Sequence, residues 1–199
     1  MKILFLGYPE SPLIDFLKRE GHDVKVTEDK IDAEFVKENQ FDFIISYGYR
    51  HLIKEDVLDL LPGKIINLHI SYLPYNRGAD PNFWSFVENT PKGVTIHLVD
   101  KGLDTGDILV QEEVPLTTDE TLRSSYEKLH RAIQSLFMKH WPDIRSGKIQ
   151  PEPQPQDATY HRKKDKEKYI RGMEDMYLDM KISNLLERIK SQNHENSGI

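Results

Sequence analysis

No cysteine occurs in this chain of 199 residues, and that one absence removes several kinds of chemistry. A disulfide framework, thiolate zinc sites and cysteine nucleophiles are all excluded, and a reducing compartment is in keeping with it. Long apolar runs are absent too. No stretch approaches the ~18 residues of a membrane span, and the apolar run at residues 1–8, which meets Pro9 and Glu10, is too brief for a signal h-region. Positive charge is outweighed: 27 Lys and Arg face 33 Asp and Glu, for a net charge of −6. That balance argues against wide cover of a polyphosphate backbone. The expectation is a cytoplasmic protein with neither a membrane nor a nucleic acid as partner. Glycine is scarce where a dinucleotide site would need it. Leu6-Gly7-Tyr8-Pro9-Glu10-Ser11 offers one glycine, which makes neither a backbone cradle for phosphate nor G-x-G-x-x-G. What is present is 38% hydrophobic residues, enough for one ordinary domain that needs no staples.

The first half alternates apolar runs with amphipathic segments, the pattern of βαβ units. Residues 2–7 (KILFLG) read as a buried strand. Ser11-Pro12 then forms an N-cap with proline at the first helical position, and the helix stops at Gly21. Strands are expected at 23–27, 41–47, 64–71 and 93–99, with short helices at 33–39, 54–61 and 81–88 between them. A sixth strand, 107–114, is expected to run antiparallel to the fifth because the connection is short. Thr117 to Glu120 reads as a capping box for the longest helix. Its stripe of Leu122, Tyr126, Leu129, Ile133, Leu136 and Phe137 has helical spacing and is assigned to the core. Composition changes after Gly147. Pro151, Pro153 and Pro155 interrupt regular structure, the charged run 162–168 follows, a terminal helix is expected over 176–192, and 193–199 are expected to fray. The division is a catalytic domain at 1–148 and an extension, loop plus helix, at 149–199.

Asn67 and His69 lie two apart on the fourth strand and so project from one face, near the carboxyl end where open α/β sheets form their ligand crevice. For N-x-H alone, a solvated strand edge is the plainer reading. The next segments add to it. Residues 73–79 (LPYNRGA) make a turn-rich loop carrying an arginine. Residues 100–107 (DKGLDTGD) place three aspartates and two glycines directly after a strand. An acidic loop of this kind serves a metal, a cap or an orienting carboxylate. Calcium fits poorly, since the alternating oxygens and terminal glutamate of an EF-hand are missing. His97 reads as a buried structural histidine, and no set of histidines has ligand spacing, so no metal is expected.

The runs NLHISYLPYNRGADP and GVTIHLVDKGLDTGDIL resemble the folate-dependent formyltransferases, which include methionyl-tRNA, glycinamide ribonucleotide and sugar-nucleotide N-formyltransferases. The organisation matches over about residues 1–145, with the motifs between 67 and 108. The resemblance implies a Rossmann-like α/β fold: a mostly parallel twisted sheet flanked by helices, with an antiparallel final strand and a small C-terminal extension. It implies a formyl group carried by 10-formyltetrahydrofolate as co-substrate. It places the family's catalytic asparagine, histidine and aspartate on Asn67, His69 and Asp104. Asn67 and a protonated His69 would donate to the oxyanion formed when an amine attacks the formyl carbon. Asp104 would favour the imidazolium and take the amine's proton, directly or through water. The pterin would be held by Tyr49, His51, Leu52, Ile53, Val99 and Asp100. For His51 taken alone, an exposed loop histidine is the better reading.

Within the family, the single glycine after the first strand departs from the glycinamide ribonucleotide enzymes. The tRNA enzymes carry a further C-terminal barrel, a hydrolase of the same cofactor would carry a regulatory domain, and the chain's acidity fits tRNA poorly. Residues 76–84 and 159–166 look like the sugar-nucleotide enzymes. The resemblance therefore implies a nucleotide-linked amino sugar, most often a TDP-4-amino-4,6-dideoxyhexose of the kind used in lipopolysaccharide O-antigen biosynthesis. Arg77, Asp80, Asn82, Trp84, Tyr160, Arg162 and Lys163 would bind it, a basic cluster and an aromatic suiting a pyrophosphate and a base. A solvated helix face for 162–168 and a core position for Trp84 stand beside that reading. A methionyl-tRNA or small-amine formyltransferase, and a non-catalytic folate-binding module, are the alternatives. A homodimer is left open.

Overall fold

In the computed structural model, which describes residues 1–196, the apolar runs of the first half pair into one six-stranded sheet of order β2-β1-β3-β4-β6-β7. The strands are β1 (Lys2–Gly7), β2 (Asp23–Thr27), β3 (Phe43–Tyr47), β4 (Ile65–His69), β6 (Gly93–Leu98) and β7 (Ile108–Glu113). β1 pairs in parallel with β2 on one side and β3 on the other, and β3 with β4. The chain adds β2 on one side of β1 and then β3 and β4 on the other, and this reversal of strand order is the switch point at which such sheets open a crevice. β6 is antiparallel to β4, and β7 is antiparallel to β6 as expected. The strand that opposes the sheet is therefore β6, while β7 returns to the common direction.

Helix α1 (Pro12–Arg19) is capped as its sequence implies, with Ser11 Oγ accepting from Leu13 N–H and Pro12 at the first position. It covers one face of the sheet together with α5 (Leu122–Arg145), around Ile3, Phe5, Phe43, Ile45, Ile66, Leu68, Phe137 and Trp141. The other face is covered by α2 (Ala33–Asn39) and the single turn α3 (Glu55–Leu58), packed on Leu4, Leu6, Ile44 and Ile65. The period of two puts Asn67 and His69 on this second side, in line with Ile65.

Several expected boundaries shift. The Thr117–Glu120 box is only half made, as a turn in which Glu120 accepts from Thr117 N–H. The cap of α5 is Thr121, which exchanges hydrogen bonds with Ser124. Tyr126, placed in the apolar stripe, is 41% exposed and reaches Tyr8 hydroxyl to hydroxyl at 2.9 Å. The terminal helix starts later than expected, as α7 (Ile182–Asn196), after turns through 173–180. The expected fraying of 193–199 reaches residues 197–199, which lie outside the described residues. The charged run forms a 3-10 turn (Lys163–Lys166) and one helical turn, α6 (Glu167–Ile170).

The extension is tied back into the sheet. Glu152 bridges Ile108 through both backbone bonds. A two-residue strand, β8 (Tyr160–His161), pairs in parallel with β5 (Arg77–Gly78) in the loop after β4. Helix α4 (Pro81–Val87) shares its apolar face with α7: Phe83, Trp84 and Phe86 pack with Ile170, Met173, Ile182, Leu185 and Ile189. No helix among the described residues is long and apolar enough to cross a membrane.

Candidate functional site

Strand alternation brings Asn67 and His69 to one face of β4, and the antiparallel register sets His97 of β6 directly opposite Asn67. The loop after β6 folds back over this face and delivers Asp104, whose backbone is left-handed at φ 55°. Four side chains from three stretches of chain thus meet. Asn67 Nδ2 lies 3.0 Å from Asp104 Oδ1 and 3.3 Å from His97 Nε2. His69 Nδ1 is 3.7 Å from Asp104 Oδ2, and His97 Nε2 is 3.5 Å from Asp104 Oδ1. His69, His97 and Asp104 are all buried.

Backbone groups complete the setting. Gly78 N–H donates to Asp104 Oδ2 at 2.9 Å, and His69 Nε2 stands 3.3 Å from Asn76 O. His97 Nδ1 donates to Leu98 O at 2.7 Å, so in the neutral ring Nε2 is the acceptor. Both Asn67 N–H groups are then turned to protein acceptors, Asp104 and His97.

Burial pushes the Asp104 carboxyl upward, but the His69 and His97 imidazoles and the Gly78 N–H outweigh it and hold the group well below the usual carboxylate range. Burial pushes the His69 imidazole down; Asp104 and the Asn76 carbonyl oppose this without overcoming it. The centre at neutral pH is an ionised carboxylate beside a neutral imidazole. Such a pair can accept a proton from a nucleophile, and with a carboxamide alongside it can hydrogen-bond an oxygen that gains charge. Among the described residues, no group of three or more such side chains is placed to hold a metal ion.

The two loops expected to hold a pterin meet on this same face. Ile53 is buried with Val57 and Ile65, Val99 packs against that cluster, and Lys101 pairs with Glu55. Among the described residues, no backbone–backbone hydrogen bond engages residues 50–53, and Leu52 is 59% exposed. His51 is exposed and rests edge-on against Tyr49, whose hydroxyl ties down Asp29 and Ile31. Asp100 is occupied within its own loop, accepting from Gly102 N–H and the Thr105 hydroxyl.

The residues expected around a substrate divide. Arg77 stands in β5 with its guanidinium on Gln154, and Tyr160, 50% exposed, lays its ring across Gly78. These two adjoin Asp104. Asp80 is paired with Lys166 at 2.6 Å. Asn82 and Trp84 depart from the expectation. Asn82 is buried and spends its amide on Leu122 O and the Ser125 hydroxyl. Trp84 is buried and stacked on His161 at 3.8 Å. Both serve the joint between α4, α5 and the extension, because the apolar side of α4 faces inward there. Arg162 and Lys163 are exposed on the 3-10 turn.

Asn76, Gly78 and Gln154 are not singled out by the sequence reading. His97 is buried and has the structural role expected of it, through Leu98, and it also completes the Asn67–Asp104 cluster. Its signal was present in Gly93-Val94-Thr95-Ile96-His97, yet only the β4–β6 register reveals which residue it opposes.

Known proteins share this fold. A family model described as formyl transferase matches residues 9–140. Methionyl-tRNA formyltransferase of Clostridium botulinum is 37% identical over 155 residues, 77% of this chain and 50% of that protein. The chain spans about half the length of the methionyl-tRNA formyltransferases it matches. The crystal structure of the formyltransferase PseJ from Anoxybacillus kamchatkensis, in complex with UDP-4,6-dideoxy-4-formamido-L-AltNAc and tetrahydrofolate, is 49% identical. It superposes with a TM-score of 0.88 over 95% of this chain and 100% of that one. A 4-N formyltransferase from Francisella tularensis is 25% identical, with a TM-score of 0.76 over 94% of this chain and 87% of that one. With a family model matched over most of its length and a solved relative covered from end to end, the chain belongs to the formyl transferase family.

Proposed function

We propose that this protein transfers the formyl group of 10-formyltetrahydrofolate to the amine of a nucleotide-linked amino sugar. The observation that carries the reaction class is the convergence of Asn67, His69 and Asp104, with Asp104 within 3.0 Å of the Asn67 amide. The amine attacks the formyl carbon, the carbonyl oxygen becomes an oxyanion, and the folate nitrogen leaves with a proton. The pair of neutral His69 and ionised Asp104 takes the proton lost by the amine, carries it on the imidazole, and passes it to the folate nitrogen as that leaves. Asn67 donates to the oxyanion, and His69 joins it while it carries the amine's proton. For this Asn67 exchanges one protein acceptor for the formyl oxygen, and the longer contact, to His97 at 3.3 Å, is the one given up.

The pterin fits against residues 49–53 and 99–100. The backbone of 50–53, which makes no backbone–backbone hydrogen bond among the described residues, supplies amide donors and acceptors, and Ile53 and Val99 supply an apolar wall. For the amine, the 49% identical relative is bound to a UDP-4,6-dideoxy-4-formamido sugar. That supports a 4-amino-4,6-dideoxy sugar and favours UDP over TDP as its carrier. Arg77 and Tyr160 are the groups that meet it, with Arg162 and Lys163 further along the same segment.

The methionyl-tRNA reading is kept by curated relatives at 33–37% identity. Formyl transfer from 10-formyltetrahydrofolate is to be measured with UDP- and TDP-linked 4-amino-4,6-dideoxy sugars, glycinamide ribonucleotide and methionyl-tRNA. Turnover is expected with the nucleotide sugars. Transfer to the tRNA alone removes the sugar, and folate binding with no transfer to any amine makes the protein a binding module.

A further inference from the structure

Pro153 and Pro155 flank Gln154 and restrict its backbone before any contact is made. Anchors hold the segment on either side. Glu152 exchanges both backbone bonds with Ile108, while Thr159 O accepts from Arg77 N–H at 3.0 Å and His161 O from Ala79 N–H at 2.9 Å. Thr159 Oγ1 also accepts from Asn76 N–H at 2.7 Å, the residue whose carbonyl faces His69. Between these anchors Gln154 reaches into the centre. Its Nε2 donates to Asp104 O at 2.9 Å and to Gly106 O at 2.7 Å. Its Oε1 accepts from Arg77 Nε at 3.1 Å and Nη2 at 2.7 Å. One amide thereby uses both hydrogens and its oxygen on two loops that otherwise meet where Gly78 N–H donates to Asp104.

We infer that Gln154 is a positioning residue that sets the Asp104 carboxylate and the Arg77 guanidinium together, joining the grip on the substrate's anionic part to the placement of the proton acceptor. Asp104 is in a left-handed conformation, which a non-glycine residue keeps only where its surroundings impose it. The Gln154 amide grips the carbonyl on one side of that residue, and Gly78 N–H grips its carboxylate on the other. Arg77, gripped through Nε and one terminal nitrogen, keeps its other terminal nitrogen for an anion. This assignment rests on the formyl transfer proposed above.

The test compares Q154M, which fills the space without hydrogen bonds, with Q154E, which keeps an acceptor for Arg77 but loses the two donations to the Asp104 loop. Q154M is expected to lower kcat about tenfold or more, as misplacement of a reacting group does, and to raise KM for the nucleotide sugar. Q154E is expected to lower kcat similarly while KM stays near the wild-type value. A residue that only fills space lowers the melting temperature and leaves both constants unmoved. Wild-type kcat and KM in Q154M, or wild-type kcat in Q154E, overturns the inference. If Q154M fails to fold, the kcat of Q154E decides. A wild type that formylates no amine sinks the functional reading and the catalytic part of this one. Hydrogen exchange at residues 102–107 then decides the positional part, since it speeds up in a folded Q154 variant if Gln154 holds that loop and is unchanged if it does not.

Discussion

At the scale of single residues, the site depends on a charge kept inside the protein. Asp104 stays ionised because two imidazoles and a backbone N–H surround it, and an uncompensated carboxylate there would be costly. Asp104→Asn keeps the shape and removes the charged half of the proposed proton-accepting pair with His69. Turnover is expected to fall by ~100-fold or more, the scale of losing a positioned general base, with folate affinity changed by less than a few-fold. Steady-state kinetics beside a folate titration measures the two, and near-normal turnover contradicts the role. The shared face of Asn67 and His69 was legible from their spacing of two on a strand, and the resemblance made them candidates for catalysis. Asp104 was legible only as one of three aspartates, and the resemblance chose among them. His97 and Gln154 were not, because their partners lie 30 and 50 residues away and no periodicity encodes a cross-chain contact.

At the scale of elements, local rules succeeded where a segment has one way to satisfy its backbone, and slipped where two were on offer. Ser11-Pro12 has no competitor and caps α1 as read. At 117–124 two boxes overlap. Thr117 and Glu120 fit the pattern, but Thr121 and Ser124 take the helix because the chain must first turn back from β7. Thr121→Ala is therefore expected to cost about 1 kcal/mol, and Thr117→Ala less, as read from the denaturant midpoint. The contact between β5 and β8 gives a sharper case. Gly78 has φ +87°, and a Cβ there would sit 2.3 Å from His161 O. Gly78→Ala forces β8 away and takes the N–H off Asp104. A stability loss of ~1–3 kcal/mol is expected from backbone strain alone, with a fall in turnover at temperatures where the variant is still folded. Unchanged activity would show that Asp104 does not need this donor.

For the whole molecule, the α/β character and the parallel half of the sheet were readable from alternating runs. The reversal at β6 was not, since a connection as long as that between β4 and β6 allows either direction. The proline-rich tail was read as an interruption, and the structure uses it as a tie. The buried histidines also act at this scale. Burial pushes His22 and His69 down and His130 to about 4. A histidine with a lowered folded value binds its proton first in the unfolded chain. Stability is thus full above the ordinary value of about 6.5 and declines as pH falls through it, for His130 until about 4. The urea midpoint is expected to drop between pH 7 and pH 5, and His130→Gln, which cannot titrate, is expected to flatten part of that drop. A midpoint equally pH-dependent in the variant would remove His130 from the account.

The matched family region stops at residue 140, yet Asp104 is gripped by Gln154, and the loop carrying Gly78 is paired with Tyr160 and His161. While the chain is being synthesised, the six strands and α5 are all available to pair before the segment that tunes the acidic loop has left the ribosome. A nascent chain at that stage can already order the sheet that carries Asn67 and His69 and bring Gly78 N–H to Asp104, but it lacks the two Gln154 bonds that fix the acidic loop. Competence would thus switch on late, with the last quarter of translation, and a fragment cut at the family boundary would fold more completely than it would work.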